Sequence, residues 1–314
     1  MLKEVCITPQ VFDNEHLDLS NWKDIKNLLD AITESGYIVS LNSKDWTKTV
    51  LENIRVLEPK IKDRLFNVIS TLKDRDRIVR HPKSQDIMLD SEDSWYKLAE
   101  SLDVLRHFYK IITTKAYNNE VLTLEELEDL NISQEFGMPG SQHYVKSIEN
   151  LNKILLPFLS YSKKLTIIDP YFYLSSSRYE ETLTVVAKCF MERRGELGKG
   201  SIIINCKYDD QKHTDYVLNQ WQKVLVRMTE QFPHTFTINA WCVRDGELKM
   251  HDRYFITNQS GLVSAAGADK DDKQQSEWSL KTHRDLDAIL SQYKVNSSPF
   301  DLKRIITTTN IDKF

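Results

Sequence analysis

Cysteine is rare in this chain and nowhere paired. The four thiols, Cys6, Cys189, Cys206 and Cys242, lie in apolar segments with no CxxC spacing. That excludes a zinc knuckle or a disulfide framework and fits reduced thiols in a cytosol. Long apolar runs are missing too: none approaches the roughly 18 residues of a membrane span, and the N-terminus alternates charged with apolar residues. The expectation is a soluble cytoplasmic protein. Excess charge of one sign is the third absence, since 42 Lys and Arg face 46 Asp and Glu for a formal net charge of −4. A basic coat for nucleic acid is thereby excluded, and any polyanion must meet a local patch.

What is present is ample apolar material, 40% of the 314 residues, enough for one large or two ordinary domains. Residues 20–134 carry charged helical patterns broken by one strand-like stretch, Tyr37-Ile38-Val39-Ser40-Leu41. Behind Ser91-Glu92-Asp93, the spacing of Leu98, Leu102, Leu105 and Phe108 predicts an amphipathic helix with an acidic first turn. Glycine is scarce, nine in all, so the turn formers of Phe136-Gly137-Met138-Pro139-Gly140-Ser141 stand out and mark a boundary. We read a mainly helical N-terminal domain over 1–140 and a second domain over 141–314. In the latter, residues 165–172, 201–206 and 235–241 read as strands, the first stopped by Asp169-Pro170. Helical patterns over 178–194 and 214–231 separate them, and a tight turn falls near Asp245-Gly246. Such alternation predicts an α/β domain with a mixed, largely parallel sheet flanked by helices. Functional groups then gather at strand ends.

The densest chemistry lies in His251-Asp252-Arg253-Tyr254-Phe255-Ile256-Thr257-Asn258. Tyr254, Phe255 and Ile256 suit a strand, and residues two apart on a strand share a face. His251 and Arg253 therefore point the same way, pairing a group that titrates near neutral pH with a permanent cation. That combination suits a phosphate diester.

With these residues placed, the stretch from about 160 to 281 resembles one repeat of the phospholipase D superfamily. The family pattern is His-x-Lys, four residues, then Asp, with a glycine and small polar residues downstream. His251 matches the histidine, Arg253 stands at the lysine and Asn258 at the aspartate. The segment Gly261-Leu262-Val263-Ser264-Ala265-Ala266-Gly267-Ala268-Asp269 is similar to the family's strand and small-residue turn, with Ser276-Glu277 where a polar pair often follows. Ile168-Asp169-Pro170-Tyr171-Phe172 is similar to the strand that commonly opens each repeat. The His-Asp-Arg form resembles the C-terminal module of microtubule-interacting-and-trafficking domain proteins, a fold that binds lipid phosphates, and uncharacterised bacterial relatives.

The resemblance implies a metal-independent phosphodiesterase, a nuclease above all, without cofactor, in a setting such as defence against foreign DNA. His251 is then the nucleophile that becomes a phosphohistidine, and a second histidine protonates the leaving oxygen. With one motif per chain, two subunits of a homodimer must complete the site. Arg253 replaces lysine as a phosphate clamp, Asn258 orients without adding charge, and Asp169 or Glu277 is positioned to supply a carboxylate. Lys249 extends the positive pocket, Tyr171 lines the crevice or fills core, and Ser264 belongs to the small-residue turn. The alternative is a noncatalytic module binding nucleic acid or phospholipid. The N-terminal domain, which the resemblance does not cover, is left for partner proteins.

Weaker signals complete the inventory. Glu247-Leu248-Lys249 matches the acid-x-Lys signature of metal-dependent nucleases, but the preceding segment 235–243 offers no acidic ligand. The basic run from Lys73 to Lys83 reads as a solvated helix end, the alternative being a salt-sensitive contact surface. Trp46, Trp95 and Trp221 read as packing residues. His16, His81, His107, His143, His213, His234 and His283 share no ligand spacing.

Overall fold

The computed structural model describes residues 2–41, 46–81, 83–84, 87, 89–194, 200–243, 250–281 and 283–308. The chain divides into two units, Met1–Met138 and Pro139–Phe314.

The first unit is not mainly helical in architecture. Its strands β1 (Lys3–Ile7), β2 (Gly36–Ser40), β3 (Ile78–Arg80), β4 (Lys110–Thr113) and β5 (Val121–Thr123) form one sheet in the order β3-β2-β1-β4-β5, every pairing parallel. Around them run α1 (Trp22–Ser35), α2 (Trp46–Arg55), α3 (Pro59–Asp74), α4 (Glu92–Asp103), α5 (Leu124–Glu128) and α6 (Ile132–Phe136). The strand-like stretch 37–41 is β2, whereas β1, β3, β4 and β5 escaped sequence reading because they are three to five residues long and, in β1, buried on both faces. Such strands show no alternation. Helix α4 starts as expected, with a Ser91 capping box, and buries Leu98 and Leu102. It stops at Asp103, whose carboxylate accepts from the Phe108 and His107 that follow, so Leu105 ends in solvent at 66% exposure.

The second unit contains β6 (Gln142–Lys146), α7 (Ile148–Leu159), β7 (Lys164–Ile168), α8 (Ser177–Arg194), β8 (Ser201–Lys207), α9 (Asp215–Gln231), β9 (Thr235–Val243), β10 (Tyr254–Thr257), β11 (Gly261–Ser264), β12 (Asp271–Lys281), α10 (His283–Ser291) and β13 (Phe300–Thr307). Its sheet runs β13-β9-β8-β7-β10-β11-β12-β6. Only β7 with β8 and β8 with β9 are parallel; the other pairings are antiparallel. The expected mixed sheet is found, but its expected largely parallel character is corrected, since parallel pairing is confined to β7, β8 and β9. Helices α8 and α9 supply the two crossovers that parallel pairing requires. Short connections join β10 to β11 and β11 to β12, which imposes antiparallel pairing there, while β10 on β7, β12 on β6 and β13 on β9 pair antiparallel over long sequence separations.

Trp46, Trp95 and Trp221 are fully buried, as packing residues. The basic run from Lys73 is no uniform solvated end: Arg77 is 3% exposed, donates to the Gly36 and Glu34 carbonyls and lies over the Tyr37 ring.

Candidate functional site

Pairing places Tyr254 of β10 opposite Ile168 of β7. Because these strands are antiparallel, the start of β10 meets the end of β7, where Asp169-Pro170 halts the strand. The ladder continues one residue upstream, with the Ser264 N–H donating to the Arg253 carbonyl at 3.0 Å. Side chains then separate by parity. Asp252 and Tyr254 bond to each other at 2.8 Å, and Tyr254 packs against a cluster with Ile168, Ile256 and Leu286. Arg253 turns to the other face. There Nη1 donates to the Ala265 carbonyl at 2.6 Å, Nε lies 3.8 Å from Asp169 Oδ1, and the guanidinium sits 5.0 Å from the centre of the Tyr171 ring.

Asp169 is wholly buried and heavily engaged. Its Oδ1 accepts from the Tyr171 N–H at 2.9 Å and its Oδ2 from the Ala268 N–H at 3.0 Å. Burial pushes its carboxyl up from the ordinary range, while those two N–H groups and Arg253 oppose the shift. Burial, together with the charges of Asp169 and Asp269, pushes the phenol of Tyr179 on α8 upward. Asp169 therefore accepts from two backbone amides and faces Arg253 at 3.8 Å.

The small-residue turn after β11 is held from behind. Lys146, with no side-chain exposure, donates to the Ala266 carbonyl at 3.0 Å and to Asp269 at 2.8 Å. Arg178 bridges Asp269 at 3.6 Å and Asp271 at 2.9 Å. Ser264 Oγ donates to the Gly267 carbonyl and lies 3.0 Å from Ser276 Oγ, which accepts from the Ala266 N–H. Gly267 has φ +96°, and a Cβ there would stand 3.1 Å from Asp269 Oδ1 and 3.4 Å from Arg253 Nε. Glycine is needed at this point for both reasons.

His251 is different in kind. It is exposed and, among the described residues, takes part in no hydrogen bond. Its chain neighbours make side-chain contacts: Met250 is buried against Trp241 and Phe300, and Asp252 accepts from the Tyr254 hydroxyl. An exposed imidazole thus stands two residues before the constrained Arg253.

Of the residues expected at the site, Asp169, Tyr171, Arg253 and Ser264 come together at this strand end, and His251 stands exposed two residues before Arg253. Asn258 does not join them. It occupies the β10–β11 hairpin tip, accepting from the Lys163 N–H at 3.2 Å. At the usual rise of a strand it lies about 16 Å along the chain from Arg253. Glu277 points away: on β12 its neighbour Ser276 is buried toward the turn, so Glu277 faces solvent opposite His143. Lys249 and Glu247 lie outside the described residues, as do the expected Asp245-Gly246 turn and the side chain of His283. Sequence reasoning missed Lys146, Arg178, Tyr179 and Asp269. Lys146 had one usable signal, a cation as the last residue of a strand directly before the helix-capping Ser147.

Protein-family models, curated proteins and solved structures yield no match to this chain. Among the described residues no group of three or more His, Cys, Asp or Glu could hold a metal ion, and no helix is long and apolar enough to cross a membrane.

Proposed function

We propose that the second unit is a phospholipase D-like phosphodiesterase domain acting on nucleic acid, with His251 as nucleophile and a complete site formed by two copies of the chain. The observation that carries this reading is His251, exposed and without a hydrogen bond among the described residues, two residues before an Arg253 that is held at the end of β7. A nucleophile must be accessible. In the proposed route a His251 nitrogen bonds to phosphorus as the P–O bond to the leaving group breaks. His251 of the second copy gives its proton to the departing oxygen. Water then attacks the phosphohistidine, passing its proton to that second histidine and restoring both imidazoles. Arg253 holds a nonbridging oxygen through N–H groups other than the one donated to the Ala265 carbonyl.

A second reading has an observation of its own. Arg253 already answers Asp169, the Ala265 carbonyl and the Tyr171 ring, and Asn258 serves a hairpin tip. A noncatalytic phosphate-binding module of the same fold needs nothing more from either residue.

Purified protein incubated with single- and double-stranded DNA, RNA and a chromogenic phosphodiester, with and without chelator, separates the two. Cleavage that survives chelator and disappears in His251→Ala supports the nucleophile. Absence of cleavage in both proteins, with phosphate binding lost in His251→Ala or Arg253→Ala, supports the binding module.

A further inference from the structure

We infer that Tyr171 is a stacking platform for an unpaired base, which makes the ligand of this site single-stranded nucleic acid rather than duplex or membrane; the inference rests on the phosphodiester reading above. Tyr171 follows the Asp169-Pro170 strand stop, and its own N–H is held by Asp169 at 2.9 Å. Phe172 and Leu174, just beyond, are 2% and 1% exposed, whereas Tyr171 is 57% exposed. The chain here buries the apolar side chains and turns the phenol ring outward. The guanidinium of Arg253 lies 5.0 Å from that ring, and Arg253 is itself held by Ala265. A cation on one face fixes the ring's plane and strengthens its use as a platform.

Local charge favours the same conclusion. Arg253 is matched by Asp169, Lys146 by Asp269 and Arg178 by Asp271, so attraction for a bare polyanion is small. Selective binding must then draw on something other than phosphate charge. Base stacking supplies it, and only an unpaired base offers a free face. The aromatic character also continues along this edge: the Tyr173 ring lies 6.4 Å from that of His213, and Tyr216, three residues further on, is 73% exposed.

The test is fluorescence anisotropy of the full chain with a labelled thymidine 12-mer, an abasic 12-mer of equal charge, a 12-base-pair duplex and phosphatidylserine vesicles. Wild type is expected to bind the thymidine strand most tightly. Tyr171→Ala weakens that strand about 5- to 100-fold, to the abasic level, and leaves the abasic strand unchanged. Tyr171→Phe, which keeps the ring, stays within about twofold, and an unchanged melting temperature shows that both variants fold. Unchanged thymidine binding in Tyr171→Ala overturns the proposal. So does an equal loss of both strands, which reduces Tyr171 to a prop for Arg253, or a wild-type preference for duplex or vesicles. Binding of the abasic strand without a thymidine preference removes the stacking role alone. Failure of wild type to bind any phosphate-bearing probe removes the phosphodiester reading with it.

Discussion

Glu92 in the first unit and His251 in the second both belong at the carboxyl ends of sheet strands, yet their surroundings are opposite. The order β3-β2-β1-β4-β5 reverses direction between β1 and β4, the place where doubly wound sheets open a ligand crevice. Glu92 fills that place. It accepts from Thr8 Oγ1 at 2.6 Å, from the Thr114 N–H at 2.8 Å and from Thr114 Oγ1 at 2.5 Å. A carboxylate so fully bonded holds strand ends together and has nothing left for a ligand. His251 is exposed and unbonded, while the groups behind it are locked. A chemical site is distinguished by which polar groups remain unsatisfied, more than by which are present.

The sharpest way to break this contrast is to unlock what lies behind His251. Lys146→Met removes a fully buried cation and leaves the Ala266 carbonyl unpaired, with Asp269 retaining only Arg178. We expect a loss of about 3 kcal/mol in denaturant unfolding. Next comes the first unit's own locked imidazole. His81 is 1% exposed, its Nδ1 accepts from the Lys83 N–H, and burial, aided by Arg106 and Lys83, holds it down at about 4. Its folded value lies below the ordinary 6.5, so the unfolded chain takes a proton that the folded chain refuses. Stability is therefore lost as pH falls from about 6.5 to 4, on the order of 3 kcal/mol. Denaturant midpoints across that window should slope in wild type and flatten in His81→Asn.

Glu92→Gln tests the satisfied carboxylate directly. One oxygen becomes a donor facing the donors of Thr8 and Thr114, and we expect about 2 kcal/mol of destabilisation with phosphodiester activity per folded molecule unchanged. The smallest effect belongs to Asn258→Ala. Losing the hydrogen bond from the Lys163 N–H should cost about 1 kcal/mol and leave cleavage intact; a collapse of activity at unchanged stability would return Asn258 to the site.

Much of the second unit was legible because its strands are long and its helices signposted. Thr214 caps α9, Asp169-Pro170 ends β7, and Tyr254-Phe255-Ile256 became β10. The sheet's direction was not legible: alternation of helices and strands stops after β9, and β10 to β12 follow one another through short connections that carry no helix. The first unit showed only β2 and hid its other strands, which are three to five residues long and too short to display a period. Arg253, Asp169 and Tyr171 were legible as neighbours because each sits at a strand end within a motif. The partners of Lys146 were not, since β6 brings it to the turn from 120 and 123 residues away by tertiary pairing alone.

The central claim, that each chain carries half of a phosphodiester site, is tested most directly by titrating His251→Ala protein into a fixed amount of wild type and following chelator-resistant phosphodiester cleavage. If each site needs His251 from two copies, activity falls toward zero as mixed pairs replace wild-type pairs. Activity that stays constant under excess variant, or that His251→Ala itself retains, contradicts the account.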